Sequence, residues 1–124
     1  MAKILVIEDL PDNYHLLDRV LTAQGHQMFW AQDAETGLDA ATELHPDLVL
    51  LDLGLPDYDG ETVATWMRNT PDLAEIPIIV VTAWPEETAR KVVAAYGCND
   101  YLTKPVRIAD LLAKVRQYTA SPTL

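Results

Sequence analysis

The chain has 124 residues, 49% of them hydrophobic, and a formal net charge of −10. This length suits one domain with one core, and the apolar fraction is far above that of a disordered chain. Nine Lys and Arg scattered singly form no basic stripe, which argues against nucleic acid as a direct partner, and no apolar run approaches the length of a membrane span.

Met1 to Ile7 is apolar but too short for a signal peptide, and it runs directly into Glu8-Asp9. Lys3 to Ile7 therefore reads as a buried first strand of a cytoplasmic chain. Pro11 fits a first helical turn, Leu16, Leu17, Val20 and Leu21 form one apolar face, and Gly25 is a natural stop. Gln27 to Ala31 makes a second strand, with Trp30 as a packing residue, and Asp33 caps a helix running to Leu44. Asp47 to Asp52 holds Leu48-Val49-Leu50-Leu51, a third buried strand.

Asp59 is placed to cap a third helix that turns Val63, Trp66 and Met67 toward the core. Ile76 to Thr82, with Ile78-Ile79-Val80-Val81, is the most strongly β-branched strand. Pro85-Glu86-Glu87 opens a fourth helix with both acids at its positive end. Asp100 to Thr103 is a short fifth strand, and Ile108, Leu111, Leu112, Val115 and Tyr118 stripe the last helix.

Strands alternating with helices predict an α/β fold: a flavodoxin-like, doubly wound, five-stranded parallel sheet of order 2-1-3-4-5 with five helices. Residues 1–119 make one domain, and Ala120 to Leu124 a short, frayed tail. In such a sheet the ligand site lies at the carboxyl ends of the strands, near the switch point. Glu8-Asp9, Asp52, Thr82 and Lys104 end four of the strands and should converge there. Acidity is also concentrated at Asp57-Tyr58-Asp59.

Singly, each of these residues has an ordinary reading: a loop cap, a routine β residue, a solvated lysine. Together they are three carboxylates, a hydroxyl and an ammonium at one edge. Crowded carboxylates must be protonated, paired or bound to a cation, and hard oxygen donors suit Mg²⁺. Such a site can clamp a phosphoryl group as it moves to a carboxylate nucleophile. Cys98, the only cysteine, reads as a buried structural thiol with no basic neighbour along the chain to activate it. His15, His26 and His45 lack ligand spacing.

Four segments resemble the receiver domains of two-component response regulators, in particular the chemotaxis-type single-domain regulators. They are Ile4-Leu5-Val6-Ile7-Glu8-Asp9, Asp52-Leu53-Gly54-Leu55-Pro56-Asp57-Tyr58-Asp59-Gly60, Val80-Val81-Thr82-Ala83 and Tyr101-Leu102-Thr103-Lys104-Pro105. The resemblance implies that Asp52 accepts a phosphoryl group from a phosphohistidine on a histidine kinase or histidine phosphotransfer protein. It implies Mg²⁺ held by Glu8, Asp9, Asp52 and the Gly54 carbonyl, with Glu8 acting mainly through water. It gives Thr82, Ala83, Lys104 and Tyr101 phosphoryl-binding or switch roles, with Tyr101 turning inward, and makes the bond before Pro105 cis. The output surface, for a downstream protein target, is then expected on the fourth helix, fifth strand and fifth helix, with Ala94, Ala95, Arg107, Lys114 and Tyr118 as candidates.

Glu8 stands where aspartate is common in the family, Gly54 offers no side chain over the phosphoryl group, and Trp84 puts a large aromatic two residues beyond Thr82. Trp84 either governs access to the phosphoryl group, belongs to a partner surface, or packs at the mouth of the fourth helix. A phosphatase of the haloacid-dehalogenase type would want an aspartate at position 54, and a flavin site would want a first loop rich in Ser, Thr and Gly. Met1 directly before the first strand and the short tail favour a stand-alone regulator without an output domain over a module from a longer protein.

Overall fold

The computed structural model describes residues 2–119; the tail expected from Ala120 to Leu124 lies outside the described residues. The elements in chain order are β1 (Lys3–Ile7), α1 (Pro11–Ala23), β2 (Gln27–Ala31), α2 (Ala34–Leu44), β3 (Leu48–Asp52), α3 (Gly60–Asn69), β4 (Ile78–Thr82), α4 (Glu86–Tyr96), β5 (Asp100–Thr103) and α5 (Ile108–Thr119). A short 3-10 turn, Pro71–Leu73, which sequence periodicity does not reveal, precedes β4. The strands form one parallel sheet of order β2-β1-β3-β4-β5, as expected.

Every residue of β3 and β4 is buried, which explains their unbroken apolar runs: both faces are covered by helices. Strand alternation divides the core. Ile4, Val6, Leu50, Ile79 and Val81 meet Leu17 and Leu21 of α1 and Leu111 and Val115 of α5. Leu5, Ile7, Val49, Leu51 and Ile78 meet α2 and α3 through Ala34, Ala41, Val63, Ala64 and Met67. Val80 and Leu53 pack with Val92 of α4. Gly25, at φ 89°, turns the chain after α1 in a conformation that costs glycine least.

Three apolar assignments are corrected. Leu16 is 40% exposed, Trp66 40% and Ile108 51%, because each lies beside its helix's buried face rather than on it. Trp66 instead packs edge-on against Tyr58 with ring centroids 5.2 Å apart. β3 and β4 begin at Leu48 and Ile78, one and two residues later than the apolar runs suggest.

Gly60 shows how tightly the site's underside is built. A Cβ there would lie 2.7 Å from the carbonyl oxygen of Asp52 and 2.8 Å from the Cα of Leu53, so the first turn of α3 rests directly on the chain leaving β3.

Candidate functional site at the carboxyl edge of the sheet

β1 lies between β2 and β3, so the chain leaving β1 runs toward β2 while that leaving β3 runs toward β4, and the diverging connections open a crevice at their carboxyl ends. Glu8 and Asp9 follow β1, Asp52 ends β3, Thr82 ends β4, and Lys104 follows β5. One carboxylate oxygen each from Glu8, Asp9 and Asp52 lie within 4.8 Å of one another. Lys104 Nζ donates to Glu8 Oε1 at 2.9 Å and to Asp52 Oδ1 at 3.4 Å. The ammonium is thus nearer Glu8 than Asp52, although β3 and β4 lie between β1 and β5, a preference that sequence order cannot rank.

The surroundings fix these groups. Gly54 N–H donates to Asp52 Oδ1 at 3.2 Å, and Leu10 N–H to Glu8 Oε2 at 3.3 Å. The Trp30 indole N–H donates to the Glu8 carbonyl at 2.7 Å, and its ring stacks on Tyr14 at 4.5 Å. Thr82 is buried, and its Oγ1 accepts from the N–H of exposed Trp84 at 3.0 Å. Gly54 is exposed, and a Cβ there would meet nothing within 4 Å. Ala83 is exposed, and the Lys104–Pro105 peptide bond is cis.

Burial, reinforced by the adjacent Glu8 carboxyl, pushes the Asp52 carboxyl up to about 6. Burial pushes Glu8 the same way, but hydrogen bonds with Lys104 and Asp52 and the Lys104 charge outweigh it and hold Glu8 below its ordinary value. Two acids in one pocket are thereby driven apart, the pattern of a buried pair one positive charge cannot fully neutralise.

Asp57 and Asp59, the third acidic point, stand outside this cluster. Asp57 accepts from the N–H groups of Ala34 and Glu35 at 2.9 and 3.0 Å, tying the loop after β3 to the start of α2. Asp59 caps α3 through the Thr62 N–H at 2.9 Å. Helix ends attract carboxylates for their own reasons, so composition alone could not separate caps from ligands.

Tyr101 is half-buried and faces α4: its hydroxyl donates to Glu86 Oε1, and Arg90 Nε donates to it at 3.2 Å. Lys114 Nζ lies 4.4 Å from the centre of the Tyr101 ring and pairs with Asp100 at 2.9 Å. Of the candidate output residues, Ala94, Ala95 and Arg107 are exposed, whereas the Tyr118 hydroxyl is bound to the Asn99 carbonyl and Asp100.

Cys98 is partly buried, and burial pushes its thiol up to about 11 against the opposing charge of Arg68, a basic neighbour that folding brings close. At pH 8 the native thiol should react with iodoacetamide on the order of a hundredfold more slowly than the urea-unfolded chain. Equal rates in a timed labelling assay would contradict the buried placement.

Five parallel strands of order 2-1-3-4-5 with an acidic crevice at the switch point define a doubly wound, flavodoxin-like α/β domain, and comparison with known proteins gives the family. The profile described as "Response regulator receiver domain" matches residues 4–116. The polar-differentiation response regulator DivK of Brucella ovis is 30% identical over 115 residues, covering 93% of this chain and 94% of DivK. Response regulator PleD of Caulobacter vibrioides is 36% identical over 118 residues, 95% of this chain, which spans only 26% of PleD. The receiver domain of sensor histidine kinase PA1611 from Pseudomonas aeruginosa, solved with magnesium in its active-site cleft, superposes with a TM-score of 0.88 at 28% identity, covering 97% of this chain and 98% of that one. This chain belongs to the response regulator receiver family of two-component systems. Among its described residues no helix is long and apolar enough to cross a membrane.

Proposed function

We propose that this domain is a phosphorylation switch in which Asp52 takes a phosphoryl group from a phosphohistidine and the acyl phosphate changes which partner protein binds. The observation that carries this reading is the triple carboxylate cluster within 4.8 Å, with Lys104 reaching two of its members. An Asp52 oxygen attacks phosphorus, the bond from phosphorus to the imidazole nitrogen breaks, and the histidine leaves. Lys104 shifts from Asp52 toward the incoming phosphoryl oxygens while keeping its bond to Glu8. Thr82 gives up the Trp84 N–H and donates its hydroxyl to the phosphoryl group, and Tyr101 leaves Glu86 for the space that opens. The result is a population shift, not turnover of a free substrate.

The donor set of three hard carboxylate oxygens fits Mg²⁺. Asp9 and Asp52 would hold the ion directly, Glu8 through water, and the Gly54 carbonyl would complete the protein's share. Bound there, the ion neutralises charge on the carboxylates and on the transferring phosphoryl group. Mass spectrometry after incubation with Mg²⁺ and acetyl phosphate should find one hydroxylamine-sensitive adduct, on Asp52. No adduct, or one elsewhere, would sink this reading.

The donor, a histidine kinase or histidine phosphotransfer protein of the cytoplasm, has a surface to meet. Leu16, Leu17, Pro105 and Val106 line, together with Glu8 and Lys104, a groove of about 130 Å³. An apolar entrance continuous with the pocket suits a protein donor, which must bring its imidazole to Asp52. Leu16→Asn should slow transfer from a phosphohistidine protein by about tenfold, through lost apolar contact. Labelling by acetyl phosphate, which needs no docking, should not change.

A further inference from the structure

Trp30 reads from the sequence as a packing residue, and packing accounts for its ring but not for its N–H. It lies opposite Val6 in the β1–β2 register and packs against the core on the α1 side of the sheet. From there the indole reaches past the end of β1 and donates to the Glu8 carbonyl at 2.7 Å. β2 ends at Ala31, whose carbonyl accepts from Glu8 N–H at 3.0 Å, so the Glu8 carbonyl lies beyond the last rung of that ladder. β2 offers it no further donor, and the indole supplies one. Tyr14 holds the ring from α1, stacked at 4.5 Å with 3° between the planes, and His15 meets its edge at 5.6 Å.

That carbonyl belongs to the peptide joining Glu8 to Asp9, and the acids of the cluster are anchored differently. The Glu8 carboxylate accepts from Leu10 N–H and Lys104, and the Asp52 carboxylate from Gly54 N–H and Lys104. Among the described residues no hydrogen bond reaches the Asp9 carboxylate, so its place in the cluster is set by its backbone. With the Glu8 N–H held by Ala31 and the Glu8 carbonyl by Trp30, the peptide plane from which Asp9 projects cannot turn freely. Ligands aimed in advance bind a cation more tightly, because less freedom is lost on binding. We propose that Trp30 is a positioning residue for the cation site, its indole N–H fixing the peptide that aims Asp9 at the ion. The proposal rests on the Mg²⁺ reading of the cluster and goes beyond it, since an indole N–H is itself no metal ligand.

Trp30→Phe keeps a ring to stack on Tyr14 and removes the donor. Calorimetric titration with MgCl₂ at pH 7 should show the parent saturating and the variant binding about tenfold more weakly. Trp66→Phe, the same exchange at an exposed position of α3, should bind as the parent does. Loss of packing alone would lower the melting temperature without that difference in affinity. The unmutated chain gives a second measurement that needs no variant to fold. Coupling between the bond and the ion is reciprocal, so saturating Mg²⁺ should slow solvent exchange of the Trp30 indole N–H by the same factor, about tenfold, and leave that of Trp66 unchanged. A folded Trp30→Phe chain with parental affinity, an equal loss in Trp66→Phe, or Trp30 exchange indifferent to Mg²⁺ would overturn the proposal. A parent that takes up no Mg²⁺ would overturn the metal reading itself, and the positioning role with it.

Discussion

Asp52→Asn should abolish the acyl-phosphate adduct and, in the metal-free protein at neutral pH, raise the melting temperature. The first effect is total, because the amide has no anionic oxygen to attack phosphorus. The second follows from the raised Asp52 pKa of about 6. A carboxyl whose folded pKa lies above its unfolded value favours folding fully at pH below about 4, and loses that contribution as pH rises through about 6. At pH 7 the ionised Asp52 therefore weighs against the metal-free fold, by no more than about 3 kcal/mol. Asparagine removes that repulsion, leaving Lys104 with Glu8 at 2.9 Å. Mg²⁺ should stabilise the parent protein and do much less for the variant. Thermal melts at pH 5 and 7, with and without Mg²⁺, measure all of this; a variant no more stable than the parent at pH 7 would show that the carboxylates do not repel as the geometry requires.

Arg68→Ala should destabilise the fold by about 2–4 kcal/mol, read from the urea midpoint at unchanged slope. Its guanidinium donates to the carbonyls of Ile76 at 2.9 Å, Ala74 at 3.2 Å and Gly97 at 2.8 Å, and to Asn99 Oδ1 at 3.0 Å. Asn99 Oδ1 also accepts from Ile78 N–H at 2.9 Å, so one side chain joins the end of α3 to the approaches of both β4 and β5. Lysine should recover little, since a single ammonium cannot span carbonyls fixed in different loops. A loss below about 0.5 kcal/mol would place Arg68 among ordinary surface charges.

Arg68 also marks the limit of what the sequence discloses. Strands such as Leu48–Asp52 and Ile78–Thr82 are legible because burial on both faces demands unbroken apolar runs. The carboxyl-edge cluster is legible because parallel topology turns strand ends into neighbours, so Glu8, Asp52 and Lys104 can be placed together before any distance is known. Residues acting across helices carry no such signature. A lone arginine reads as solvated until the carbonyls around it are placed. Asp57 reads only as one acid of a concentrated stretch until its two N–H partners at α2 appear. Leu16, Trp66 and Ile108 fit helical periodicity, yet a shift of one position around a helix decides burial, and neighbouring elements set that shift.

The bond from Lys104 to Glu8 joins residues 96 apart in sequence. During synthesis the three acids are therefore made long before the base that balances them. A nascent chain that has folded through β4 would hold mutually repelling carboxylates with no ammonium among them, and docking of β5 relieves the repulsion as it completes the sheet. On the reading of Asp52 as the phosphoryl acceptor, competence to signal would be tied to completion of the domain: a product ending before β5 lacks Lys104, the ammonium that pairs with both Glu8 and Asp52.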